Sequence, residues 1–264
     1  MNRGGAALRR YTGKKKWEAR RWAALDNLRG LTLLSMIAYH ACWDMVNLFD
    51  ADGGWFRSAA AYVWQQSICW TFILLSGFCF SLGSKPLRRG LEVFCGGLLV
   101  TAVTLLVMPA SRVVFGVLTL LGSCMLLMVP LERFLNRLPA WAGLVGSAAL
   151  FFLLRNVNGG SLGFEGLRFF TLPPWLYRNL LTAFLGFPPA DFSSTDYFSL
   201  LPWFFLFLTG YFVSRLWRER RRIPMGGTRV PVLSALGRYS LPVYLLHQPV
   251  VYGLLWGLLR LNGT

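Results

Sequence analysis

The chain has 264 residues, of which 55% are hydrophobic and 14% charged, with a mean hydropathy of +0.48. That balance excludes an ordinary soluble domain and describes an integral membrane protein. The net charge of +16, from 27 basic against 11 acidic residues, does not mark a nucleic-acid binder. The basic residues cluster between apolar runs, where anionic lipid head groups account for them.

In chain order, residues 1–25 form a basic segment with Arg9, Arg10, Lys14, Lys15, Lys16, Arg20 and Arg21, expected at the cytoplasmic membrane surface. The next run has a polar face and no small-residue cleavage site, which predicts a retained helix rather than a signal peptide. Seven segments of spanning length follow, near 28–48, 59–82, 90–109, 113–130, 140–155, 198–216 and 241–260. The predicted fold is therefore an all-α, polytopic membrane bundle of about seven helices, with residues 26–264 as one transmembrane domain. Gly77 and its serine neighbours in FILLSGFCFSLG predict a close helix contact. Pro130 and Pro139 are expected to bracket a short connection. A short amphipathic piece ending at Tyr239 precedes the last span, which Pro249 is expected to kink.

With the N-terminus placed inside, 21 of the 27 basic residues fall on cytoplasmic segments and six outside. Seven spans then put the C-terminus outside, in a membrane of the bacterial cytoplasmic type. The run RLWRERRR at 215–222 reads as a lipid-head anchor. The long loop 156–197 is extracytoplasmic in this arrangement, and its prolines and aromatics suggest a folded cap. It could wall a pocket or rest on the bilayer.

Cys42, Cys69, Cys79, Cys95 and Cys124 all lie in predicted spans. An odd set without a CxxC pair argues against a disulfide framework or a metal site. No repeat, glycine-rich dinucleotide fingerprint or P-loop is present.

The most informative stretch is DNLRGLTLLSMIAYHACWDMVN, residues 26–47. Positions 26, 29, 33, 36, 40, 44 and 47 advance by threes and fours and so share one helix face. Ionisable groups at membrane depth are costly and mark sites. Arg29 and His40 are separated by roughly 16 Å of helix rise, which places Arg29 near the inner surface and His40 beyond the midplane. Asp44, one turn on, can accept a hydrogen bond from one imidazole nitrogen, leaving the other to take a proton from a hydroxyl or amine. His247, the other histidine in the chain, could contact substrate or satisfy carbonyls freed by Pro249.

These residues also carry a family likeness. Ala24 to Leu31 (ALDNLRGL), followed by Tyr39-His40 and Asp44, resembles the start of the heparan-α-glucosaminide N-acetyltransferase catalytic-domain family, within the transmembrane acyltransferase superfamily. The superfamily pattern of an Arg, ten residues and a His is matched by Arg29 and His40. Similar stretches recur at Phe72–Leu82, Phe115–Leu118, Asp196–Trp203 and Leu236–Pro249, so the likeness covers nearly all of the chain after residue 20.

The resemblance implies transfer of an acyl group, acetyl in the first instance, from cytoplasmic acyl-CoA to an extracytoplasmic sugar, glycan or small amino or hydroxyl acceptor. On that pattern His40 and Asp44 are the catalytic candidates. Arg29, Asp26, Ser76 and Arg238 are candidates for the donor, and Asn47, Asp196, Trp203, Tyr244, His247 and Gln248 for the acceptor. Membrane lipids and a homo-oligomer are the implied partners, with no metal. The chain departs from the family at Thr119, where members often carry a histidine. Two other classes fit the same residues: a proton-coupled transporter using His40 and Asp44, and an inactive membrane scaffold.

Overall fold

The computed structural model describes residues 3–49, 51–220 and 228–261, with 3–22 as backbone only. The chain divides into two compact units, one made of residues 1–68 with 222–264 and the other of residues 69–221.

The first unit is built on α1 (Arg3–Asn47), the opening turns of α2 (Ala59–Phe80), α8 (Pro231–Arg238) and α9 (Ser240–Leu261). The helix of the basic segment is continuous with the polar-striped helix, while the basic side chains themselves lie outside the described residues. Leu33 and Met36, on the predicted polar face, are buried, so this face is the packed one. Trp64 Nε1 donates to Ser35 Oγ at 2.8 Å and ties the start of α2 to α1. The amphipathic piece ahead of the last helix is α8, with Pro231 in its first turn where a missing N–H costs nothing. Pro249 sits inside α9, which continues to Leu261.

The second unit holds the rest of α2, then α3 (Pro86–Val107), α4 (Val117–Leu135), α5 (Ala140–Leu154), α6 (Leu180–Leu185) and α7 (Leu200–Glu219). The close contact expected at Gly77 is present: a Cβ there would lie 1.9 Å from the Phe207 carbonyl oxygen, and one at Gly210 would lie 2.1 Å from that of Leu74. The backbones of α2 and α7 touch because neither position carries a side chain. α4 does not stop at Pro130 as expected but runs on to Leu135. Arg215 explains where it ends, since its guanidinium donates to the carbonyls of Leu135 at 2.7 Å and Asn136 at 3.4 Å, closing orphan acceptors of the last turn. Arg215 thus caps a helix, while the end of the RLWRERRR run lies outside the described residues.

Among the described residues, five helical segments are long and apolar enough to cross a membrane: α2, α3, α4, Ala140–Gly159 and α7. Seven were expected. α1 and α9 are long enough but fall short in apolarity, because they carry Arg29, His40 and Asp44 in one case and His247, Gln248 and two prolines in the other.

Among the described residues the fold is helical apart from one short hairpin, which the periodicity of the sequence does not predict. Within 156–197, β1 (Ser161–Phe164) pairs antiparallel with β2 (Leu167–Thr171), Phe164 opposite Leu167. Asn156 Nδ2 donates to the carbonyls of Glu165 and Leu167, both at 2.9 Å, and pins the hairpin to the end of α5. Asn179 and Thr182 form a reciprocal capping box on α6. The stretch therefore carries regular structure of its own, a hairpin and a capped helix.

Candidate active site

α1 and α9 bring four of the singled-out side chains together in the first unit. The His40 and His247 rings lie with centroids 4.9 Å apart. Gln248 Nε2 donates to Asp44 Oδ1 at 2.6 Å, and Asp44 is fully buried. The hydrogen bond expected between His40 and Asp44 is not formed among the described residues. The carboxylate instead reaches across to α9, where a primary amide supplies the N–H that a buried charge requires. His40 consequently faces a second imidazole rather than a carboxylate.

His247 is buried, and its Nδ1 bonds to the Tyr244 carbonyl one turn back. A carbonyl only accepts, so Nδ1 carries the proton and Nε2 is left with the lone pair. The acceptor is not the carbonyl that Pro249 strands, which belongs to Leu245, four residues before it. The Tyr244 ring also packs edge-on against His247 at 5.3 Å. Three buried atoms at this locus have no hydrogen-bond partner: His247 Nε2, Asp44 Oδ2 and Gln248 Oε1. Tyr39 stands beside His40 and packs against Phe56 and Trp64, forming an aromatic wall on the α2 side of α1. Asn47, at the end of the polar stripe, is exposed and donates to the Trp43 carbonyl of its own helix at 2.9 Å.

The other end of the stripe meets α8. Asp26 lies 4.0 Å from Arg238, and both Arg238 and Arg29 act electrostatically on its carboxylate. Ser234 Oγ donates to Asn27 Oδ1 at 2.6 Å, and Asn27 Nδ2 donates to the Thr228 carbonyl at 2.8 Å. Neither Ser234 nor Asn27 is an ionisable residue, and nothing in its spacing marks it for this role. The available signal was Ser234 on the small-residue face of LSALGRYS, opposite a polar residue beside Asp26.

Ser76, Asp196 and Trp203 belong to the second unit. Ser76 is half-buried on α2. Trp203 is buried in α7 with the Arg155 guanidinium over its ring at 5.0 Å. Asp196 Oδ2 accepts from the Val117 N–H at 3.3 Å, so a loop carboxylate caps the start of α4, where Gly116 has no side chain to do so. Burial pushes the Asp196 carboxyl up to about 6, against the pull of the Val117 N–H. A carboxyl raised in the folded state stabilises the fold below its ordinary value of 3.8 and loses that contribution as pH rises through about 6. Asp196→Asn keeps an oxygen for Val117 and removes the charge. The variant is expected to unfold at a higher temperature than the parent at pH 7.5, with the gap narrowed to about half at pH 5 and closed only below the ordinary value of 3.8, as thermal unfolding in detergent would measure.

Among the described residues, no group of three or more His, Cys, Asp or Glu is placed to hold a metal ion. The family described as heparan-alpha-glucosaminide N-acetyltransferase, catalytic, matches residues 21–249, a stretch that contains the whole stripe of α1, α8, and His247 to Pro249. No curated protein and no solved structure matches the chain.

Proposed function

The chain belongs to the heparan-α-glucosaminide N-acetyltransferase catalytic-domain family, and from that premise we propose that this membrane acetyltransferase moves an acetyl group from cytoplasmic acetyl-CoA to a sugar or glycan on the other side of the membrane. α1 and α9 complete the set of spans at seven, with the N-terminus inside and the C-terminus outside, in a bacterial cytoplasmic-type membrane. Loop 156–197 then lies outside. The observation that carries the reading is the polar face of α1, which sets Asp26 beside Arg238 of α8 at one end, with Arg29 acting on the same carboxylate, and His40 against His247 at the other.

The two ends have separate tasks. Arg29 supplies a fixed positive charge for a phosphate of the donor. The thioester, on the extended arm of the donor, reaches His40, where an imidazole serves the transfer to the hydroxyl or amine of the acceptor. Asp44 and Gln248 hold the acceptor side. The test is transfer of labelled acetyl from acetyl-CoA to a panel of envelope oligosaccharides by the full chain in lipid nanodiscs. A charge-assisted hydrogen bond contributes about 1.5–3 kcal/mol, so Arg29→Ala is expected to raise the KM for acetyl-CoA by roughly ten- to hundred-fold with a smaller change in kcat. An unchanged KM would remove Arg29 from the donor site.

A further inference from the structure

The three orphan atoms beside His40 share one property. With Nδ1 of His247 donating to the Tyr244 carbonyl, Nε2 offers a lone pair, and Asp44 Oδ2 and Gln248 Oε1 offer lone pairs as well. A buried acceptor without a donor is costly, and here three sit at one locus. Their common need is a molecule that brings several O–H or N–H groups. The Tyr244 carbonyl and ring fix the His247 ring from two sides, and Gln248, the next residue, holds Asp44. His247 is thus held by Tyr244 within α9, and Asp44 of α1 by Gln248 of α9.

We propose that His247 is a second catalytic residue, whose Nε2 takes the proton from the attacking hydroxyl or amine of the acceptor while Asp44 Oδ2 and Gln248 Oε1 hold its neighbouring donor groups. This assignment rests on the acetyltransferase reading above and specifies the base within it. As the acceptor oxygen or nitrogen bonds to the thioester carbonyl carbon, its proton passes to His247 Nε2. The C–S bond breaks with its electron pair on sulfur, and the proton then passes from the imidazole pair to the thiolate. The products are the acetylated acceptor and CoA thiol. His40, 4.9 Å away by ring centroids, is close enough to share in that return. Asp44 becomes a binding group for the acceptor rather than the orienter of His40.

The experiment uses the full chain in nanodiscs with acetyl-CoA and an oligosaccharide that the unmutated protein acetylates. His247→Asn can keep an N–H for the Tyr244 carbonyl but has no Nε2 lone pair. It is expected to lower kcat at least a hundred-fold, within the range a general base supplies, while acetyl-CoA binding stays within two-fold. His247→Ala is expected to lose activity similarly and to regain part of it when free imidazole is added. Near-normal kcat in His247→Asn, or no imidazole rescue of a folded His247→Ala that binds acetyl-CoA, would overturn the assignment. Loss of acetyl-CoA binding in both variants would also overturn it, because His247 would then be structural. Failure of the unmutated protein to transfer acetyl to any oligosaccharide would instead defeat the function reading itself.

Discussion

His40→Ala is expected to reduce acetyl transfer by about a thousand-fold or more while leaving acetyl-CoA binding in place. General acid–base catalysis by a positioned side chain contributes about 10²–10⁴ in rate, and His40 is the α1 member of the imidazole pair. Its removal takes away the group that faces His247 and opens space beside it. Arg29 lies about three turns away along the same helix, too far for the truncation to disturb. Transfer assays and acetyl-CoA titrations on the same preparation separate the two effects. A variant that lost binding and transfer together would show that the two ends of the stripe are not separate sites.

The largest expected structural effect lies at the crossing of α1 and α8. A Cβ at Gly30 would fall 2.1 Å from the Leu233 carbonyl oxygen, and one at Gly237 would fall 2.0 Å from that of Asp26. Both obstacles are backbone, so no side chain can turn aside to make room. Gly237→Val must separate the helices, which breaks the Ser234–Asn27 hydrogen bond and moves Arg238 away from Asp26. Overpacking typically costs about 1–3 kcal/mol and more where backbone must shift. Gly30→Val and Gly237→Val are expected to lower the unfolding temperature by several degrees and to weaken acetyl-CoA binding at least ten-fold. Wild-type binding by both variants would show that the α1–α8 contact does not shape the donor end.

Much of this architecture is legible in the residues. The three-and-four spacing from Asp26 to Asn47 predicts a helix face, and Leu33, Met36 and Asp44 on it are buried. The Gly77 contact and the amphipathic α8 are equally readable, because small size and periodicity are local properties. What is not readable depends on partners distant in sequence. The spacing of His40 and Asp44 suggests a bond along one helix, yet Asp44 pairs with Gln248, 204 positions away. A single sequence gives no means of choosing between an i+4 neighbour and an amide on another helix. Pro130 marks a stop by propensity, but α4 runs past it and ends where Arg215 of α7 meets its last carbonyls. The β1–β2 hairpin is missed for a different reason: its strands are four and five residues long and lie in a stretch read only for aromatics and prolines.

The central claim is that α1 links a donor on one side of the membrane to an acceptor on the other. The most direct measurement uses proteoliposomes with oligosaccharide acceptor trapped inside and acetyl-labelled acetyl-CoA added outside. The account predicts that label appears on the trapped acceptor, that unlabelled acetyl-CoA competes it away, and that His40→Ala vesicles of equal protein content show none. Label confined to acceptor on the same side as the donor, or equal labelling with His40→Ala, would contradict it.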